Sequence, residues 1–390
     1  MFKKKPVAYL GNKASAGATR SSVTRILIIV FLFSFGAFSL FRYWQEQVRE
    51  KRASDFAIAR MHYQEGRYKE AAQGFRKVIE SHPESIEAIS SLYSLGLSLI
   101  QLRDYEGAIY YFQRFKNEFP ASDYLDKALY RWGRIEEEQE SLVESLDIYK
   151  SIIRDFPASP VRPNALLGMG RISEKRGHWE EARNYFQKVM DGFPQTEAST
   201  EAKRRLGELN IKLLTSPMTE HYIIYEVAPG DTLSVIARRF NTTVELIMKK
   251  NALKTPFIKP LQRLRILEGK FHIVVDVSKK TLTLYLNEEF IISYPVATGT
   301  PRTPTPLGEF VIVNKLIEPI WEGLPYNDPG NILGTRWLGL NKPGYGIHGT
   351  TMPETIGTPA TLGCIRMFNE DVEELFDFIP VGTVVRIMNY

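Results

Sequence analysis

The sequence predicts a multidomain chain: an N-terminal transmembrane helix, an all-α array of helical hairpins, a small βααβ module and a mainly-β C-terminal domain. Three observations carry this. Residues 26–41 are uncharged and mostly apolar behind a basic leader, four columns of residues repeat every 37 positions between 55 and 210, and the apolar spacing switches to period two from Phe271. A chain of 390 residues is long for one domain, and two or three are expected. The net charge of +5 is modest for this length. It fits contact with an acidic or membrane surface, and no basic stripe with interleaved aromatics points to nucleic acid.

The leader, residues 1–22, holds Lys3, Lys4, Lys5, Lys13 and Arg20 and no acid. The sixteen residues 26–41 would make roughly 24 Å of helix against a hydrocarbon core of ~30 Å. Val23 and Thr24 extend the stretch, Arg25 and Arg42 suit snorkelling, and Phe41, Tyr43 and Trp44 suit an interface. Residues 23–44 therefore read as an uncleaved signal anchor of the inner membrane, single-pass, with residues 1–22 in the cytoplasm and the remainder periplasmic. A cleaved signal peptide is the rival reading, with a weak cleavage site around Ala37. Charge bias alone is less decisive, since Arg42, Arg49, Lys51 and Arg52 lie on the far side.

Residues 55–210 form the repeat. Pro83, Pro120, Pro157 and Pro194 keep the 37-residue step, as do Phe75, Phe112, Tyr149 and Phe186, and Gly96, Gly133, Gly170 and Gly207. Tyr68, Tyr105, Leu142 and Trp179 open the second helix of each unit, whose aromatic seven residues on shares its face. A proline then stops it. Each unit is a helical hairpin unable to bury its apolar stripe alone. The pattern resembles tetratricopeptide repeats of slightly long period; Ser145 and Leu142 depart from it. Two uses stay open: docking of a protein partner, or a spacer.

Residues 222–268 change character. Tyr225 opens a short strand, Asp231 or Thr232 is placed to cap a helix through Arg239, a second helix follows Thr242, and Leu264 lies in a closing strand. Y-x-V-x-x-G-D-T-L-x-x-I-A-x-x-F from Tyr225 and the later N-x-L from Asn251 resemble a lysin motif (LysM) domain. The resemblance implies a βααβ fold that binds N-acetylglucosamine chains of peptidoglycan, with a groove mapping to Gly230, Asp231, Thr232 and Ile258. Gly230 and Asp231 also read as turn and cap. The family's usual Gly before Gln262 is Leu261 here.

From 271 to 390, alternation at Ile273, Val275 and Val277 and at Leu282, Leu284 and Leu286 predicts strands, with more around Tyr294, Phe310 and Val384. One helix is expected, capped by Asn369 and running to Phe378. A β-rich sandwich or barrel follows. Cys364 is the one cysteine of the chain, so it forms no internal disulfide and is a poor metal site; neither metal nor cofactor is expected. Gly363 allows a tight turn beside it, Arg366 stands two residues on, and His348 lies sixteen residues upstream. A cysteine nucleophile needs a base or a cation in reach, because the thiolate is the attacking species.

H-G-T-x-x-P-E-T-I-G from His348 and T-x-G-C-I-R-M-x-N-x-D-V from Thr361 resemble the active-site signature of the YkuD-type L,D-transpeptidases of bacterial peptidoglycan. The usual serine is Thr361 and the usual His or Lys before the glycine is Leu362. The resemblance implies Cys364 as nucleophile and His348 as proton donor and acceptor. Backbone N–H groups at Gly363 and Cys364 are candidates for the oxyanion, and the Gly349 carbonyl is the family-based candidate for orienting His348. Arg366 either fixes the loop or grips a substrate carboxylate; Thr361 and Tyr345 are further substrate-side candidates. By resemblance, the donor is a tetrapeptide stem cut between meso-diaminopimelate and D-alanine, the acceptor is a diaminopimelate amine, and carbapenems acylate the cysteine. Attachment of an envelope protein through the same thioester, hydrolysis, and a non-catalytic peptidoglycan scaffold are the alternatives.

Overall fold

A computed structural model describes residues 17–216 and 222–389, with side chains from residue 31 onward. Most of the expected basic tail lies outside the described residues. Two compact units emerge, residues 1–139 and 140–390. The expected transmembrane segment is overturned: among the described residues, no helix is long and apolar enough to cross a membrane. Helix α1 (Gly17–Gln64) is 48 residues long. Its uncharged stretch of sixteen residues is shorter than a bilayer core, is diluted by Ser34, Gly36 and Ser39, and continues into the charged turns that hold Glu46, Glu50, Lys51 and Arg52.

In the first unit α1 is followed by α2 (Tyr68–Ser81), α3 (Ile86–Gln101), α4 (Tyr105–Glu118) and α5 (Leu125–Glu138). The second unit opens with α6 (Leu142–Asp155), α7 (Arg162–Lys175), α8 (Trp179–Gly192) and α9 (Glu197–Thr215). Helices α2, α4, α6 and α8 begin at 68, 105, 142 and 179, the 37-residue step of the sequence. Each ends one residue before the proline column's neighbour, and the same turn follows: the carbonyls of His82, Phe119, Phe156 and Phe193 accept from N–H groups three residues on, at 3.1 Å each. The glycine column is a matter of space. A Cβ on Gly96 would lie 2.4 Å from the Phe112 ring, and one on Gly170 2.4 Å from the Phe186 ring. In the departing unit, Tyr149 is seated against Gly168 instead.

The LysM-like module follows: β1 (Tyr222–Glu226), α10 (Leu233–Arg239), α11 (Val244–Lys250) and β2 (Arg263–Leu267), with β1 and β2 antiparallel. Thr232 caps α10 and Thr243 caps α11, each accepting from the N–H three residues on. Val227, Leu233, Ile236, Ile247, Leu264 and Ile266 make its core.

The C-terminal region contains β3 (Phe271–Asp276), β4 (Thr281–Leu286), β5 (Glu289–Pro295), β6 (Thr298–Gly299), β7 (Gly308–Ile317), β8 (Arg336–Leu340), β9 (Gly346–His348), β10 (Pro359–Thr361), β11 (Ile365–Arg366), α12 (Asn369–Phe378) and β12 (Val384–Met388). Eight strands form one sheet in the order β11-β9-β8-β7-β12-β3-β4-β5, and β10 pairs with β6 in a separate two-stranded ladder. Helix α12 contributes Val372, Leu375 and Phe376 to the core with Ile273, Val275, Leu282, Leu338 and Ile347. Asn369 was expected to cap this helix. It is the first helical residue instead, with Phe368 at the cap position and no side-chain cap.

Both neighbouring elements grip the C-terminal region, one at its sheet and the other at α12. The Asn210 amide of α9 donates to the carbonyls of Phe290 (2.8 Å) and Ile291 (3.2 Å) on edge strand β5, and accepts from Arg183 Nε at 2.9 Å. A covered edge cannot recruit a foreign strand. On the LysM side, Lys249 pairs with Asp377 at 2.7 Å and Thr243 donates to the Asp377 carbonyl.

The glycine column is testable within the second unit. Gly170→Ala forces a methyl into the Phe186 ring and lowers stability by about 1–3 kcal/mol. Gly192→Ala, where nothing lies within 4 Å, is the control and leaves stability equal or slightly raised. Urea unfolding of the two variants measures the contrast.

Candidate active site

Strand alternation builds the site. Ile347, Leu338, Ile365 and Met367 point into the core. The residues between them, Trp337, His348 and Arg366, therefore project from the opposite face. β9 pairs in parallel with β11, placing His348 opposite Arg366 and Ile347 opposite Ile365. Cys364, immediately before β11, thus stands beside Gly346, on the same face as His348. β8 pairs antiparallel with β9, placing Trp337 opposite His348. The indole stacks on the imidazole with centroids 6.0 Å apart and planes 22° off parallel.

His348 is 2% exposed. Its Nδ1 lies 2.7 Å from the Gly349 carbonyl, which can only accept, so the ring proton sits on Nδ1 and Nε2 keeps its lone pair. The ring's pKa is pushed down to about 4, chiefly by burial and further by Arg366, while the Gly349 and Leu333 carbonyls pull it up. Burial likewise raises the Cys364 thiol, against the backbone of Gly346 and the Arg366 charge. The thiol donates to the Gly344 carbonyl at 3.5 Å. The resting pair is therefore neutral thiol and neutral imidazole, not a preformed ion pair.

The turn before Cys364 is tightly specified. Gly363 sits at φ +112°, and a Cβ there would meet the Tyr345 ring at 2.7 Å. Thr361 Oγ donates to the Cys364 carbonyl (2.6 Å) and accepts from Gly363 N–H (3.2 Å). Gly363 was expected to offer its N–H to an oxyanion; here that N–H is committed to Thr361, which leaves the Cys364 N–H as the donor at the turn. Thr361 itself is buried within the turn, while Leu362 is 71% exposed beside the thiol. Arg366 is buried, donates to Thr355 Oγ at 2.9 Å, and its Nε has no partner.

Two asparagines lay outside the reading of the sequence as site residues. Asn369 Oδ1 accepts from Thr350 N–H (2.9 Å) and Thr335 N–H (3.3 Å), and its amide donates to the Thr350 carbonyl (2.9 Å). It pins the chain just after His348. Buried Asn331 donates to the carbonyls of Pro319 (2.9 Å) and Leu324 (3.0 Å) and accepts from Leu333 N–H (2.9 Å), fixing the loop whose Leu333 carbonyl faces the imidazole. Asn369 stood in the motif but read as a cap; Asn331, in a turn-like N-D-P-G-N stretch, carried no signal.

In the LysM-like module, Gly230 and Thr232 are exposed and Ile258 packs against the small core. The Asp231 carboxylate accepts from the Tyr225 hydroxyl and from Ala228 N–H (2.9 Å), and the Tyr225 bond is the main cause of its lowered pKa. Its side chain thus builds the turn. The loop before β2 joins this turn through Val227, which donates to the Gln262 carbonyl (2.9 Å) and accepts from Leu261 N–H (2.8 Å). Among the described residues, no cluster of His, Cys, Asp and Glu is placed to hold a metal.

Three family models match: an L,D-transpeptidase catalytic domain (YkuD) over 270–387, a LysM domain over 225–267 and an outer membrane lipoprotein (YfiO) over 49–225. The putative L,D-transpeptidase YkuD of Bacillus subtilis is 38% identical over 172 residues, which cover 42% of this chain and 98% of that protein. The chain belongs to the L,D-transpeptidase family. The Bacillus licheniformis relative of the same name is 39% identical over 173 residues, 42% of this chain and 98% of that protein. The catalytic domain of an E. faecium L,D-transpeptidase aligns at 27% identity and a TM-score of 0.27, over 31% of this chain and 98% of that one. This L,D-transpeptidase therefore joins a peptidoglycan-binding module to its enzymatic domain, and those Bacillus relatives match less than half of its length.

Two pH effects follow from the buried pair. Between about 4 and 6.5 the unfolded chain binds a proton that folded His348 refuses, so stability falls as pH drops through that window. Melting temperature against pH shows the slope, and His348→Gln flattens it. For Cys364, alkylation by iodoacetamide rises steadily with pH and reaches no plateau below the ordinary thiol value of 9.0. A plateau near neutrality would contradict the neutral resting pair.

Proposed function

We propose that Cys364 is the nucleophile and His348 the general base and acid of peptide-stem transfer in peptidoglycan. The supporting observation is the placement of thiol and imidazole on one face of paired strands, with the ring proton fixed on Nδ1 by the Gly349 carbonyl. Nε2 takes the thiol proton as sulfur bonds to the carbonyl carbon between meso-diaminopimelate and D-alanine. The Cys364 N–H faces the developing oxyanion. The C–N bond then breaks, Nε2 returns the proton to departing D-alanine, and a thioester remains. An acceptor amine attacks it, loses its proton to Nε2, and releases the thiol with a new amide bond.

The low basicity of His348 suits this sequence, because a neutral ring accepts at the start of each half-reaction. Arg366, buried and bonded to Thr355, serves as the fixed positive charge beside the sulfur; a role in holding the loop fits its contacts better than one in gripping a free carboxylate. Tyr345 lines the cleft beside the turn. The LysM domain holds the glycan, with Gly230, Asp231, Thr232 and Ile258 at its groove, so the reaction belongs outside the cytoplasm. Attachment of an envelope protein is the second reading. The match of residues 49–225 to an outer membrane lipoprotein model favours it, with the repeats as the docking surface for that acceptor.

The test is direct. Wild-type protein is labelled by a carbapenem and converts purified tetrapeptide stems to crosslinked dimers, read by mass spectrometry. Cys364→Ala remains folded, loses the label and yields no dimers. Tripeptides appearing without dimers would indicate hydrolysis, and dimers made by Cys364→Ala would defeat the assignment.

A further inference from the structure

The register across the sheet shows a second row of residues beside the catalytic one. Leu316 pairs with Trp337, Trp337 with His348, and His348 with Arg366. Two positions along, Asn314 pairs with Gly339, Gly339 with Gly346, and Gly346 stands beside Cys364. The middle of this second row has no side chains. A Cβ on Gly346 would lie 2.6 Å from the Trp337 ring, and one on Gly339 would lie 2.2 Å from Asn314 Oδ1 and 2.9 Å from Trp337 Nε1. The indole therefore lies down over the glycine pair and floors a groove, with the Asn314 amide at one end and Gly344, whose carbonyl meets the Cys364 thiol, at the other.

That groove has a volume of about 290 Å³. Trp337, Tyr345, Val313 and Asn314 line it, no lining residue is Asp, Glu, Lys, Arg or His, and Gly344, whose carbonyl meets the Cys364 thiol, forms its inner end. Among the described residues the Asn314 amide has no hydrogen-bond partner. Three interstrand steps of about 4.8 Å separate the rows' ends, roughly 14 Å, the span of about four extended residues.

We propose that this groove seats the peptide stem bonded to the reacting carbonyl, with Asn314 as the specificity residue that hydrogen-bonds its backbone several residues from the scissile bond. The proposal rests on Cys364 being the nucleophile. A groove that ends at Gly344, against the thiol, is placed to receive what is covalently joined to the attacked carbonyl, which is peptide. An uncharged aromatic floor with one unpaired amide suits an extended main chain, whose N–H and C=O match an amide's acceptor and donor. The acyl donor is the expected occupant, because its segment must stay held while the leaving amine departs and the acceptor arrives.

Asn314→Ala and Asn314→Asp in the full chain test this. The Asn314 side chain is exposed and unbonded, so carbapenem labelling of Cys364 should match wild type in both variants. Single-turnover release of D-alanine from the tetrapeptide, without acceptor, should show a half-saturating concentration raised about tenfold with the limiting rate changed less than twofold. A rise confined to the acceptor's KM in the complete transfer reaction would overturn the proposal, since the groove would then hold the acceptor stem. Unchanged KM values for both peptides would overturn it while leaving Cys364 as nucleophile. Parallel loss of carbapenem labelling would also overturn it, since Asn314 would then act on the thiol. A wild-type chain inert toward tetrapeptide would remove the nucleophile assignment and the groove together.

Discussion

The parallel pairing of β9 with β11 is the constraint on which the rest of the site depends. Parallel strands need a long connection, and the eighteen positions from His348 to Ile365 supply one that carries the buried turn around Gly363. The pairing fixes register, and register fixes face: Ile347 and Ile365 enter the core, so His348 and Arg366 must leave it. A slip of one residue would turn imidazole and guanidinium into the apolar core and send two isoleucines to the site face. Core packing therefore fixes the placement of His348 and Arg366 through alternation alone.

Electrostatics then follow from burial. The same packing that holds His348 also strips it of water, which depresses its basicity, and raises that of the thiolate beside it. The arrangement resists spontaneous charge separation. Carbonyl oxygens, not a carboxylate, hold the ring, and their pull toward the imidazolium is outweighed by burial and by the Arg366 charge, so the resting ring stays neutral. Asn369 and Asn331 complete the scaffold by neutral hydrogen bonds, leaving Arg366 as the charge beside the ring.

Much of this was legible in the residues. The 37-residue step foretold where α2, α4, α6 and α8 begin, because spacing of Pro, Gly and aromatic residues is a direct record of stacking geometry. The LysM-like strands and helices and the period-two strands of the C-terminal region were readable for the same reason, as was the motif that carries Cys364 and His348. The membrane span misled: a basic leader and aromatic flanks imitate an anchor, but sixteen residues with two serines and a glycine fall short of one. Asn369 misled because a polar residue before acidic ones imitates a cap, while its partners lie nineteen and thirty-four positions away. The Gly363 N–H was taken up by a hydroxyl two residues off, and no local pattern reveals such a competition.

Helix α9 has a consequence for how the molecule can be dissected. Its Asn210 satisfies two main-chain oxygens of β5, Gly207 lies against Ile292, and Leu214 belongs to the core of the sheet. Trimming the chain at the start of the LysM-like module would uncover that margin and leave an adhesive fragment prone to self-association. The last helical hairpin is, in effect, structural tissue of the enzyme, and a dissected version that behaves well in solution would begin ahead of it.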